Sequence, residues 1–375
     1  MYNKNEYQFI NFFRAIASFW VVFSHCMIWG GWYGIDIPDP KMAVDLFMII
    51  SGYLMINQVT SRNNKEPMNR ISSWLKFFIR RFFRIAPAYY FSLFLAVIFS
   101  SYFLGGYEEL QKLNYDSWKN TFIYLPSRID YDIKNILLHI TFLFGLDPQY
   151  SYSTFLPDWS LSLEMQFYFI FPTIFLLISN FKLKKTLIIL TIISYFSTTI
   201  INKFLFFYEP SFLLLKLQYF LVGIILYHLL YNDLNWKDRI ILVLLSYIFL
   251  GIEDMFSSNT LFYIFIFMLM LSSLELNHKL PNFFYNKVIK FMSDTSFSLY
   301  LFHGFFISMS GFIISNNNFL NHSSLFIHTI FMFCFVIPLS YVFGYFIFKN
   351  IEIRGITYSK YFINRYFGLN KNNEK

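Results

Sequence analysis

Arg14 and His25 stand inside the first long apolar run of the chain, with Ser18 and Ser24 as the only other polar side chains between them. Hydrocarbon tolerates ionisable groups poorly, so a membrane helix that keeps two of them is expected to use them. Eleven residues of helix, at about 100° and 1.5 Å per residue, put both side chains on nearly one face, roughly 16 Å apart along the axis. That face offers a cation near one membrane surface and a titratable imidazole near the other.

Asp45 lies a few residues into a second apolar run that continues to Tyr53. An aspartate there needs a partner, and His25 is expected at similar depth on the neighbouring helix. An Asp-His pair would orient the imidazole and raise its basicity, as a general base acting on a hydroxyl requires. The plainer alternative for Asp45 is a solvated helix cap. Ser51-Gly52 allows close approach of another helix or of a narrow ligand. Trp159, Ser160, Ser162, Glu164 and Gln166 open a further apolar helix, expected at the outer surface, and this dense polar group at the mouth of the membrane reads equally as substrate site or as helix packing. Tyr300 and His303 stand one turn apart in a later run, where a histidine belongs inside the bundle, catalytic or structural. The other histidines, His139, His228, His278, His322 and His328, have no such context.

These residues have to be held by helices in a membrane. Of the 375 residues, 56% are hydrophobic, 23% aromatic and only 14% charged, which excludes a soluble domain and predicts an all-α polytopic transmembrane bundle. Cys26 and Cys334 both sit in apolar runs, with no disulfide or metal pattern. The N-terminal run lacks a small-x-small cleavage pattern and reads as a retained first helix. About ten spans are expected, near residues 9–29, 42–59, 86–104, 161–179, 186–206, 211–231, 239–252, 260–275, 295–315 and 325–348. The apolar segment 136–146 is short and reads as interfacial or re-entrant, within an outer loop of about 105–160.

Charge sets the orientation. The loop after the second span carries Arg62, Lys65, Arg70, Lys76, Arg80, Arg81 and Arg84 against Glu66, so the positive-inside rule places it, and both termini, in the cytoplasm. Lys182, Lys184, Lys185, Lys237, Arg239, Lys279, Lys287 and Lys290 then fall on the same side. Glu253, Asp254 and the neutral stretch from Asn316 to Ser324 fall outside. This topology accounts for much of the net charge of +8 and leaves no need for nucleic acid. Lys76 to Arg84 reads as an amphipathic basic helix at the inner surface, fit for anionic lipid head groups or for the phosphates of a cytosolic cosubstrate.

In this order, six pieces resemble the acyltransferase 3 family of integral membrane O-acyltransferases: Arg14 with His25, Asp45 to Tyr53, Arg80 to Pro87, Trp159 to Glu164, Ser296 to His303, and Glu352. The resemblance covers about residues 6 to 354. Met48 departs from it where a second phenylalanine is frequent, and Ile353-Arg354 where a proline is common nearby. It implies a transmembrane domain over 1–355 with a basic cytoplasmic tail over 356–375, a stand-alone member without a fused hydrolase-like domain, in a bacterial cytoplasmic (inner) membrane. The reaction implied is transfer of an acyl group, usually acetyl from cytosolic acetyl-CoA, to a hydroxyl of a surface glycan or lipid-linked saccharide, with no metal. Arg14, Arg80, Arg81 and Arg84 would then hold the donor. His25, Asp45 and Glu164 would be catalytic, with His25 either general base or carrier of the acyl group. Ser51, Trp159, Tyr300 and His303 would shape the acceptor pocket or acyl tunnel. A transporter or flippase for a saccharide or small polar solute is the rival reading, with the same ionisable groups forming a relay; no convincing repeat links the first five spans to the second.

Overall fold

The computed structural model describes residues 6–34, 39–118, 131–181, 183–251, 257–275 and 286–367. Of the residues that set the orientation, Lys182, Glu253, Asp254 and Lys279 lie outside them, as does His278. The described residues form helices and no strand: α1 (Glu6–Gly30), α2 (Pro40–Arg62), α3 (Ile71–Ile98), α4 (Ser100–Leu113), α5 (Ile133–Ile140), α6 (Trp159–Phe181), α7 (Leu183–Phe204), α8 (Leu217–Tyr231), α9 (Trp236–Leu250), α10 (Ser258–Glu275), α11 (Lys287–Asp294), α12 (Ser296–Asn316), α13 (Leu325–Ile347) and α14 (Ile353–Phe367). Among the described residues seven helical stretches are long and apolar enough to cross a membrane, and two shorter apolar helices accompany them. The protein is an integral membrane helical bundle. Its periphery is apolar, as a lipid-facing surface must be: Ile188, Ile189, Ile192 and Phe196 of α7 are all exposed.

Small residues set how closely the central helices approach, because in lipid the association of helices rests on packing rather than on water exclusion. Gly52 of α2 lies against the backbone of Phe220 in α8, where an added Cβ would stand 2.0 Å from the carbonyl oxygen. Gly223 of α8 meets the Ile49 carbonyl in the same way, also at 2.0 Å. A second such crossing joins α4 to α12, with Gly106 against Ser308 and Gly311 against Gly106. The backbone approach expected of Gly52 is therefore made, to a helix rather than to a ligand.

Two elements differ from the expected spans. The basic segment from Lys76 and the third span form one continuous helix, since α3 runs through Pro87. Proline at that position removes a hydrogen bond to the Phe83 carbonyl four residues earlier, and Gly355 of α14 packs against that carbonyl, its would-be Cβ 2.4 Å away. The stretch expected as a tail begins as a helix: α13 passes through a π-helical turn, Phe348–Glu352, directly into α14. The short segment 136–146 resolves into the end of α5 and a 3-10 turn, Leu143–Leu146, well short of a span.

Candidate active site

His25 and His303 are in contact. His25 Nδ1 lies 2.7 Å from His303 Nε2, and the rings stack at 5.0 Å. His303 Nδ1 lies 2.6 Å from the carbonyl oxygen of Tyr300. A carbonyl can only accept, so Nδ1 of His303 carries a proton. In a neutral ring this leaves Nε2 bare, and His25 Nδ1 must donate to it. The lone pair of His25 is thereby placed on Nε2. His25 is half-buried and lines a cavity of about 570 Å³ with Trp159, Tyr300, Lys41 and Glu209. Lys41 and Glu209 pair at 3.1 Å, and burial raises the Glu209 carboxyl above its usual range while Lys41 opposes the shift.

The neighbouring cavity lies deeper in the bundle and is small, about 70 Å³. Glu164 reaches into it, accepting from Ser51 Oγ at 3.1 Å and from the Tyr168 hydroxyl at 2.8 Å. Tyr300 and Ser160 hydrogen-bond through their hydroxyls at 3.0 Å. Arg14 donates to Ser296 Oγ at 2.9 Å. Arg81 and Arg84 also line it, and the rest of the lining is apolar, with Phe47, Met48, Leu54 and Phe297 among it.

A third cavity, of about 650 Å³, opens at the basic end, with Arg14, Arg62, Arg80, Arg81 and Arg84 in its lining. Arg80 is paired with Glu66, at 2.5 Å. Arg81 donates to Gln58 and lies over the rings of Phe77 and Tyr168. Arg84 has no hydrogen-bonded partner among the described residues and lines both this cavity and the middle one. The cavities adjoin in series: Arg14, Arg81 and Arg84 belong to the walls of the basic and middle ones, and Val44 and Tyr300 to those of the middle and far ones. The face shared by Arg14 and His25 thus runs past all three cavities.

The four arginines expected to act together are brought to one place, as are Ser51, Glu164 and Tyr300. Trp159, Tyr300 and His25 share the far cavity, and His303 touches His25 directly. Two expectations change. Asp45 does not support His25: it is 1% exposed and bound on its other side to Lys216 Nζ at 3.1 Å and to the Tyr263 hydroxyl at 2.5 Å. The helical turn of α2 explains this, since Val44, Phe47, Met48 and Ser51 face the cavities and Asp45 faces α8 and α10. Glu164 lies in the middle cavity rather than at its outer mouth, because α6 begins with its first turn already buried, Trp159 to Leu163.

Sequence reasoning missed three features. Lys216, the partner of Asp45, stands just before an apolar helix and carries no local signal. Tyr168 is four residues from Glu164 and could have been read as its helical neighbour. His139 and Asp158 converge on the Tyr89 hydroxyl, at 2.7 and 3.0 Å, with Ser153 on the other nitrogen of His139 at 3.0 Å. This buried cluster resembles a catalytic arrangement, yet it pins the α5 segment and the start of α6 to α3, which fixes Trp159.

A multispanning bundle with a cationic mouth at one end and a paired imidazole at the other defines a class of membrane protein that joins chemistry on two faces. A family model described as an acyltransferase domain, that of the acyltransferase 3 family, matches residues 7–348, and the chain belongs to this family of integral membrane O-acyltransferases. The chain is similar to the peptidoglycan O-acetyltransferase OatA of Listeria monocytogenes serovar 1/2a (strain ATCC BAA-679 / EGD-e), with 31% identity over 195 residues, 51% of this chain and 28% of the relative. The match therefore spans under a third of that protein's length. No solved structure matches the chain.

Proposed function

We propose that the protein transfers an acetyl group from cytosolic acetyl-CoA to a hydroxyl of a surface or lipid-linked glycan in a bacterial cytoplasmic membrane. The observation that carries this reading is the series of three cavities along the face of Arg14 and His25. The basic loop residues support a cytoplasmic side for the arginine-lined cavity, where its guanidiniums suit the phosphates of the donor as charge-assisted, forked contacts. The extended pantetheine arm fits the narrow middle cavity, and the far cavity, with Trp159 as a platform for a sugar ring, takes the acceptor. The Listeria relative acts, by its name, on peptidoglycan, a glycan polymer, which supports a glycan as acceptor here.

His25 Nε2 is the general base. It takes the proton from the acceptor hydroxyl as that oxygen attacks the thioester carbonyl; the carbon-sulfur bond then breaks and the proton passes to the departing CoA thiolate. His303, rather than Asp45, fixes the tautomer that leaves Nε2 free. Asp45 keeps a structural part, holding α8 and α10 against α2. Glu164, held by Ser51 and Tyr168, shapes the wall along which the acyl group passes.

Mass spectrometry of the host's surface polysaccharide before and after mild base tests this reading, in cells with the intact protein, with none, or with His25→Ala at equal level. A base-labile acetyl mass lost in both the null strain and the variant is the expected result. Unchanged acetylation with altered glycan export or chain length would refute acyl transfer and favour transport.

A further inference from the structure

The arginine-lined cavity has a second wall. Ile356, Ser359, Lys360, Ile363 and Asn364 line it, and their spacing, i, i+3, i+4, i+7 and i+8, is one face of a helix. The opposite side of α14 is bound to α3. Gly355 packs on the Phe83 carbonyl freed by Pro87, and Tyr358 and Phe362 set their rings 5.3 and 6.4 Å from that of Phe83. The helix is thus held with a fixed face toward the cavity, although nothing in its mixed composition marks it as a membrane span or as a core helix.

The charge around this cavity is lopsided. Lys360 joins Arg14, Arg62, Arg80, Arg81 and Arg84, and among the described residues Glu66 is the only carboxylate in the lining. Glu66 is taken up by Arg80. Like charges gathered round a concave wall repel, and they are relieved most fully by a ligand that carries several negative charges. On the α14 side the neighbours of Lys360 are two isoleucines, which offer apolar surface to a planar ring, and Asn364, whose amide both donates and accepts.

We infer that α14 is the nucleotide-binding wall of the donor site, with Lys360 on the ribose 3′-phosphate and Ile356, Ile363 and Asn364 on the base of the acyl-CoA. The inference rests on the acyl-CoA reading above and adds a binding surface from a segment beyond the family-matched residues. The arginines on α1 and α3 then hold the phosphates from one side, and α14 closes the site from the other.

Calorimetric titration of the full chain in detergent micelles tests it, with CoA and 4′-phosphopantetheine as probes for the intact protein, Lys360→Glu/Asn364→Ala, and Lys360→Arg. The double variant should weaken CoA binding about tenfold or more, the loss of roughly one charge-assisted contact, and leave 4′-phosphopantetheine binding unchanged. Lys360→Arg should retain CoA binding. Equal weakening of both probes would make α14 a structural support only, and unchanged CoA binding would remove it from the site; either result overturns the inference. If the intact protein binds phosphatidylglycerol added to the micelles and shows no preference for CoA over 4′-phosphopantetheine, the cavity holds a lipid head group and the inference fails. No binding of CoA by the intact protein would instead sink the donor reading itself.

Discussion

A proton on the wrong nitrogen disables a histidine base, and here its location is decided two residues away from the reaction. The Tyr300 carbonyl fixes His303, and His303 fixes His25. His303→Ala should therefore lower the rate of acyl transfer about 10–100-fold, as loss of an orienting partner does, with folded yield unchanged. An unaltered rate would show that the tautomer of His25 is set by something else. Asp45→Asn should behave in the opposite way. It removes the charge that Lys216, 8% exposed, pairs with at 3.1 Å, at a cost of about 3–5 kcal/mol, so detergent-extracted folded protein should fall while the activity per folded molecule holds. The sequence made Arg14, His25 and the arginines of α3 legible because ionisable residues in apolar runs are conspicuous. It could not make the partner of His25 legible, since an imidazole at suitable depth can be met by any of several neighbouring helices. Asp45 was the nearest in sequence, but helical phase turned it toward Lys216.

At the scale of the helices, the fold depends on places where two backbones touch. Gly52 and Gly223 occupy reciprocal positions across the crossing of α2 and α8, and this crossing holds Ser51 beside the middle cavity. Gly52→Val forces the backbones apart and should cost at least about 1–3 kcal/mol, seen as a lower melting temperature in detergent with loss of activity. A melting curve like that of the intact protein would mean that the helices do not meet so closely. Hydropathy found a helix at each expected place, because the length of an apolar run is itself the signal. It misjudged where α3 begins and how the chain continues past α13, because Lys76 to Arg84 and Arg354 to Arg365 are amphipathic rather than apolar. A window that scores hydrophobicity alone ends where lipid contact ends, whereas the helices continue.

Across the whole molecule, the functional reading depends on which end faces the cytoplasm. In a background lacking Cys26 and Cys334, a cysteine at exposed Asn63 should react with an impermeant maleimide only after the inner face is opened, and one at exposed Asn318 should react in intact cells. The reverse pattern would invert the membrane orientation and put the arginine cavity on the wrong side for a cytosolic donor. Basic residues were enough to suggest the sidedness, but the joining of three cavities into one line was beyond any linear pattern, since their walls draw on α1, α2, α3, α6, α12 and α14.

In that line of cavities the wall shared by the middle and far spaces includes Tyr300, whose hydroxyl is bonded to that of Ser160. A passage wet at both ends is a potential short circuit in an energised bilayer, where each elementary charge is worth about 2.3 kcal/mol per 100 mV. On the proposed reading that pair of hydroxyls also serves as an insulator: the acyl group has to move outward without opening a conducting file of water, so the cell's voltage, as much as the chemistry, limits how wide this part of the protein can be.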